Sequence, residues 1–168
     1  FGKNTDPSIE GSWAGFQLSG VNENLVQGDW GLPRDEFGFT GNYVPTSTFR
    51  GNLAESWEQP DDRTFIVKIK PGIHWHDKAP MNGRELTAED VAWAYRRHSG
   101  LLDWKPEYTA TLFGLPWESI EATDKYTVVF KLTEPRLGMV RAILAEGSAS
   151  WILPREVIEQ HGDYTDWR

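Results

Sequence analysis

The chain has 168 residues, of which 39% are hydrophobic and 25% charged, a balance that suits one globular domain rather than a disordered chain. The formal net charge is −8, which sets the chain against nonspecific contact with nucleic acid, because a polyanion would be repelled. There is no cysteine, so neither a disulfide framework nor a thiolate metal site is available.

No apolar run approaches the length of a membrane span. The first residue is Phe1, and no basic-then-apolar leader follows it, so either a leader has been removed or the chain is cut from something longer. Asp6-Pro7-Ser8 reads as a turn. Trp13, Phe16, Leu18, Val21 and Leu25 recur at roughly helical spacing, which predicts a short helix near 11–26. From Gly28 to Arg50, Gly, Pro, Asn and Asp interrupt nearly every segment, as in a long irregular excursion with short extended pieces.

Pattern sharpens at Leu53. Residues 53–58 lead into the turn Gln59-Pro60-Asp61-Asp62-Arg63. Beyond it, Phe65, Val67 and Ile69 alternate with Thr64, Ile66 and Lys68, the period of two expected of a strand with one buried face. The two segments predict a hairpin, ended by Pro71-Gly72. Thr87-Ala88-Glu89-Asp90 has the spacing of a capping box and opens a helix to about residue 97. Val91, Ala94 and Tyr95 lie on its apolar face, and Arg96-Arg97-His98 reads as a solvated, basic helix end. A second hairpin follows, Trp117–Ala122 and Tyr126–Leu132 around Thr123-Asp124-Lys125. Helices are expected over Leu137–Leu144 and Pro154–Gln160, the latter opened by proline and stopped at His161-Gly162. Hairpins interleaved with helices indicate an α+β fold with an antiparallel sheet and flanking helices. There is no internal repeat and no low-complexity tract.

Two features invite a chemical reading. The first is Gly72-Ile73-His74-Trp75-His76-Asp77, with two histidines and an aspartate in four residues. On an extended segment His74 and His76 share a face, but a zinc site needs further ligands and a catalytic His76–Asp77 pair needs a nucleophile. We read the hexapeptide as structural, with polar side chains satisfying the backbone of a turn. The second is the count of nine tryptophans, at positions 13, 30, 57, 75, 93, 104, 117, 151 and 167, which are suited to core packing or to gripping a sugar or a peptide.

The run Leu53-Ala54-Glu55-Ser56-Trp57-Glu58, then Asp61-Asp62, the strand to Lys70, Pro71 to Asp77, and Leu86-Thr87-Ala88-Glu89-Asp90-Val91 resembles the bacterial extracellular solute-binding proteins of family 5. These are peptide-binding receptors of ABC importers. Before Leu53 the likeness is looser, at Asp6-Pro7 and around Leu25-Val26. The stretch from His76 to Glu85 is a longer loop than the family's usual one, and the segment that the family places after the region resembling Asp163 to Arg168 is missing.

The resemblance implies part of lobe I of a two-lobed, type II periplasmic-binding-protein-like fold. Residues 1–52 would be an irregular N-terminal part, residues 53–168 an α+β subdomain, and the second lobe absent. It implies a receptor rather than an enzyme, with no cofactor and no metal. The full protein would capture a peptide or other small solute by lobe closure and pass it to a membrane permease. It would work as a monomer at the periplasmic or extracellular face of the cytoplasmic membrane, with a lipid anchor as one mode of attachment. Ser12 and Trp13, and Tyr108 and Thr111, fall where such receptors place ligand-facing loops. A part-lobe alone supplies at most half of the contacts, so it is expected to fold but to bind weakly. The alternatives are a self-sufficient tryptophan-rich carbohydrate- or protein-binding module, and a metal-dependent hydrolase built on His74, His76 and Asp77.

Overall fold

A computed structural model describes residues 22–38, 45–102, 115–136 and 151–162. Its elements in chain order are β1 (Val26–Gly28), a single 3-10 turn (Thr46–Thr48), β2 (Phe49–Gly51), β3 (Ala54–Glu58), β4 (Thr64–Ile69), α1 (Ala88–Ser99), β5 (Trp117–Ala122), β6 (Thr127–Leu132) and α2 (Arg155–His161). β1 and β2 form a two-stranded antiparallel sheet, and the other strands form a four-stranded antiparallel sheet in the order β3-β4-β6-β5.

Both expected hairpins are present, and each turns on an aspartate. Asp61 Oδ1 accepts from the Arg63 and Thr64 N–H groups at 2.8 and 2.7 Å, and Asp124 Oδ1 accepts from the Tyr126 N–H at 2.8 Å. These bonds hold both carboxyl groups below the usual carboxylate range. The hairpins join through their second strands, with Phe65 opposite Phe130 and Val67 opposite Val128. The edge strands β3 and β5 each slip register by one residue near their start, at Ala54/Ser56 and Trp117/Ser119. Such slips bend an edge and discourage further pairing.

One face of the sheet carries the core. Phe65, Val67, Ile69, Ile120, Val128, Phe130 and Leu132 are at most 1% exposed. α1 lies across β5 and β6, and Tyr95 meets Phe130 edge-on with ring centroids 5.0 Å apart. Burial pushes the Tyr95 phenol well above its usual range. Both ends of α1 are closed by local chemistry. The Thr87 N–H donates to Asp90 Oδ2 at 2.8 Å, completing the expected capping box. At the other end Gly100 adopts φ 80°, a left-handed conformation that glycine enters without strain, and the Leu101 N–H returns to Arg96 O at 3.0 Å.

Two expectations are corrected. The helix expected near 11–26 does not extend through its described end. Leu25 O accepts from the Asn52 and Ala54 N–H groups at 3.0 and 2.8 Å, and Val26 opens β1 against Gly51. Leu25 and Val26 are wholly buried, so long-range pairing outweighs a helical spacing that rests on few apolar residues. Residues 11–21 of that expectation, and the helix expected over 137–144, lie outside the described residues. The basic helix end is not a solvated cluster either: Arg97 is 4% exposed and His98 is fully buried. α2 begins and ends as expected, with Pro154 before it and Gly162 in the left-handed conformation after it.

Candidate functional site

Ser12, Trp13, Tyr108 and Thr111 all lie outside the described residues. The chain that follows Ser12 and Trp13 is described from residue 22, and the chain on both sides of Tyr108 and Thr111 is described. The segment around Ser12 and Trp13 enters the body at Glu23, whose carbonyl accepts from the Ile152 N–H at 3.1 Å. One residue earlier, the Trp151 carbonyl accepts from the His98 Nε2–H at 3.2 Å, a buried bond from the last turn of α1. The stretch Trp151–Leu153 is itself buried.

The segment holding Tyr108 and Thr111 leaves from α1 and returns at Leu115. Pro116 O takes the Thr133 N–H at 2.8 Å, and the next residue begins β5. The Ala88 N–H donates to Lys125 O at 2.8 Å, so α1 starts at the β5–β6 turn. Its C-terminus therefore lies toward the opposite end of the sheet, where Trp117 pairs with Leu132. Both candidate segments are thus rooted at the C-terminal end of α1, with residues 151–153 between them. Sequence reasoning missed His98 as part of this junction. The signal was present: Val91, Tyr95 and His98 follow the i, i+4, i+7 rule of one helix face.

His74, Trp75 and His76 lie on the outgoing arm of a small hairpin. The Trp75 N–H donates to Arg84 O at 3.0 Å, the Leu86 N–H to Ile73 O at 2.8 Å, and the Gly83 N–H to His76 O at 3.2 Å. A carbonyl can only accept, so the 2.7 Å contact between His74 Nδ1 and Gly83 O places the ring proton on Nδ1. His74, His76 and Asp77 are exposed, whereas Trp75 is half-buried against the core. Among the described residues, no group of three or more His, Asp or Glu side chains is placed to hold a metal. The six described tryptophans are mostly engaged in packing. Trp57, Trp75, Trp93 and Trp117 lie against the core, Trp151 is 5% exposed, and Trp30 stands out at 56%.

Two polar hubs hold this hairpin in place. Arg84 forms a fork with Asp90, Nη1 to Oδ2 at 2.8 Å and Nη2 to Oδ1 at 2.5 Å, and its Nε–H donates to Glu156 Oε1. Its guanidinium carbon lies 5.7 Å from the centroid of the Trp75 ring. Hydrogen bonding to Asp90, then to Glu156, raises the Arg84 pKa, and Arg84 in turn lowers that of Glu156. Glu85 is the second hub. It accepts from Lys125 Nζ at 2.7 Å, Tyr126 Oη at 2.8 Å and the Gly72 N–H at 2.9 Å. The Lys125 bond, then the Gly72 and Tyr126 bonds, hold its carboxyl at about 2. These hubs hold loop, sheet turn and helices in register, and each acidic group has a cationic partner, so they offer no free acid or base.

Clefts open at two places among the described residues. One, of about 250 Å³, opens between α1 and α2 and is lined by Arg84, Thr87, Glu89, Asp90, Trp93, Arg155 and Glu156. The other, of about 500 Å³, lies beside β1 and β2 and is lined by Asp29, Leu32, Glu36, Phe37, Pro45 and Ser47 to Arg50.

The family model described as "Bacterial extracellular solute-binding proteins, family 5 Middle" matches residues 48–165, most of the chain. The chain belongs to that family. A curated relative, the dipeptide-binding protein of Escherichia coli (strain K12), is 28% identical over 102 residues, covering 55% of this chain and 19% of the relative. Among solved structures, the oligopeptide-binding protein AppA of Bacillus subtilis, in complex with a nonapeptide, is 26% identical with a TM-score of 0.65. That match covers 94% of this chain and 26% of AppA. Haemophilus influenzae OppA, in complex with RPPGFSPFR, shares the fold with a TM-score of 0.70 at 24% identity, covering 96% of this chain and 30% of OppA. The chain therefore spans about a fifth of the curated relative and under a third of these solved ones. The family 5 fold expected from the Leu53–Val91 motifs, α+β with an antiparallel sheet, is the fold observed, and it matches one part of two-lobed binding proteins.

Proposed function

We propose that this chain is part of lobe I of a solute-capturing receptor for an ABC importer, with peptides as the favoured ligand class. The observation that carries the reading is the family 5 match over residues 48–165, joined by 26% identity to a protein solved around a nonapeptide. Residues 53–168 form the subdomain that decorates the lobe, and residues 1–52 its N-terminal part. In the whole receptor the segments holding Ser12 and Trp13, and Tyr108 and Thr111, face the ligand from the junction at α1. The second lobe supplies the remaining contacts, and closure is driven by the difference in ligand contacts between open and closed states.

The receptor performs no catalysis. It acts as a monomer outside the cytoplasmic membrane, lipid-anchored or free, and hands its solute to a permease. The junction supports this reading because the described chain next to both segments meets at one end of the sheet-and-helix body, a common place for binding residues.

The test is calorimetry on the full-length receptor with a panel of di-, tri- and nonapeptides, in parallel with this chain alone. We expect peptide binding by the full receptor, compaction on binding by small-angle scattering, and at least a tenfold weaker response from the isolated chain, roughly the loss of one set of lobe contacts. A full receptor that binds none of the panel would sink the peptide assignment. Equal affinity in the isolated chain would sink the shared-lobe mechanism.

A further inference from the structure

The stretch 151–161 is held by two different kinds of contact. Trp151, Ile152 and Leu153 are 5%, 3% and 4% exposed; the Ile152 N–H donates to Glu23 O, and Trp151 O accepts from the His98 side chain. The helix that follows has no buried residue. It has seven residues, too few to be stable alone, and Pro154 before it offers no side-chain cap. Its Arg155–Glu159 pair, at 2.9 Å, lies within the helix. Among the described residues its polar tie to the body is the Glu156 bond to Arg84, and Glu156 Oε2 is shielded from solvent with no hydrogen-bond partner there. Beside that tie the two helices are not closely packed: the cleft of about 250 Å³ separates Glu89 and Trp93 of α1 from Arg155 and Glu156 of α2.

We propose that α2 is a clasp, a unit that undocks and melts while the body stays folded, with Arg84–Glu156 as its fastener. The buried strap Trp151–Leu153 remains in place and sets the limit of the opening. When Glu156 leaves, Arg84 keeps its two bonds to Asp90, so the N-terminus of α1 is not disturbed. Local opening of this kind follows where, among the described residues, apolar burial is limited to the half-buried Val157 and Ile158 and one ion pair carries the polar contact.

Hydrogen exchange by mass spectrometry on the full-length protein tests this, comparing the wild type with Glu156→Gln and Glu159→Gln. In the wild type, amides 157–162 should exchange at least about a hundredfold faster than the interior amides of α1, the signature of local rather than global opening. Glu156→Gln should speed amides 157–162 by about a further tenfold, with α1 unchanged, because a charge-assisted bond is lost from the docked state alone. Glu159→Gln, which removes only the internal pair, should have a much smaller effect. Equal protection of α2 and α1 in the wild type would overturn the proposal. So would equal effects of the two substitutions, which would make helix propensity, not the fastener, the controlling factor.

Discussion

The sheet face under α1 and the hairpin 71–86 lie side by side, yet different forces hold them. Under α1, Phe65, Tyr95, Phe130 and Leu132 are sealed from water, and each buried side chain of this size contributes roughly 1.5–3 kcal/mol by area. The hairpin places His74, His76 and Asp77 in solvent and is held by the carboxylates and cations of Arg84, Asp90, Glu85 and Lys125. Apolar burial is non-directional and adds with area. The polar hubs are directional, and most of their Coulombic gain is offset by desolvation and screening. Damage to the two regions should therefore differ in size and in its response to pH.

The largest effect is expected at Phe130. It is wholly buried and touches Phe65, Tyr95 and Trp117, with ring centroids 6.5, 5.0 and 6.3 Å away. Phe130→Ala should cost about 3–5 kcal/mol in urea unfolding, as for other large core truncations. A loss below about 1 kcal/mol would mean that the aromatic cluster is loosely packed or readily collapses. Asp90 comes next. It serves the capping box and the Arg84 fork together, and its side chain is 8% exposed, against 34% for Arg84. Asp90→Ala should cost about 2 kcal/mol, combining a lost cap of about 1 with a half-solvated pair. Asp90→Asn, which keeps a side-chain acceptor but not the charge, should recover part of the loss. If it recovers none, charge rather than capping is the main contribution.

The same contrast decides what could be read from residue order. Both hairpins and α1 were legible because their signals are local: alternation over Phe65–Ile69, aspartates in two turns, and Thr87 three residues before Asp90. The family motifs between Leu53 and Val91 fall in these elements, so they located the fold. The hubs were not legible. Arg84 meets Glu156 across 72 positions, and Glu85 meets Lys125 and Tyr126 across 40 and 41. No periodicity carries such pairings. The strand at Val26 was lost for the same reason, since its partner near Gly51 lies across the long 29–48 connection. The junction at His98 lies between these cases. Its spacing from Val91 and Tyr95 suits the buried face, but the basic run Arg96-Arg97-His98 reads as solvated, and the buried bond to the Trp151 carbonyl sides with the spacing.

The Glu85 hub should reveal itself through pH. Its carboxyl is held at about 2, from a usual value of 4.5, because the folded state favours the ionised form. The stability it contributes is therefore complete above about 4.5 and lost as the pH falls toward 2. In Glu85→Gln the melting temperature should fall less steeply over that window than in the wild type, the two curves drawing together at the acid end. Some acid sensitivity should remain, since Glu156, Asp61 and Asp124 are also held below their usual range. Parallel curves from pH 5 to 2 would mean that the Lys125 and Tyr126 bonds do not persist in solution.

The smallest effect is expected where the sequence looks most chemical. His74 and His76 are exposed, and among the described residues their side-chain hydrogen bond, from His74 Nδ1–H to Gly83 O, competes directly with water. Replacing both with alanine should change stability by less than about 1 kcal/mol, because surface positions of this kind rarely contribute more. If the pair were a metal site, zinc would raise the melting temperature of the wild type and not of the double variant. If it touched ligand, peptide affinity in the full receptor would fall about tenfold or more. Neither change is expected, because the backbone bonds of Trp75, Gly83 and Leu86 hold the hairpin without either ring. The conspicuous His-Trp-His run then acts mainly through its middle residue, the Trp75 ring set between the core and Arg84.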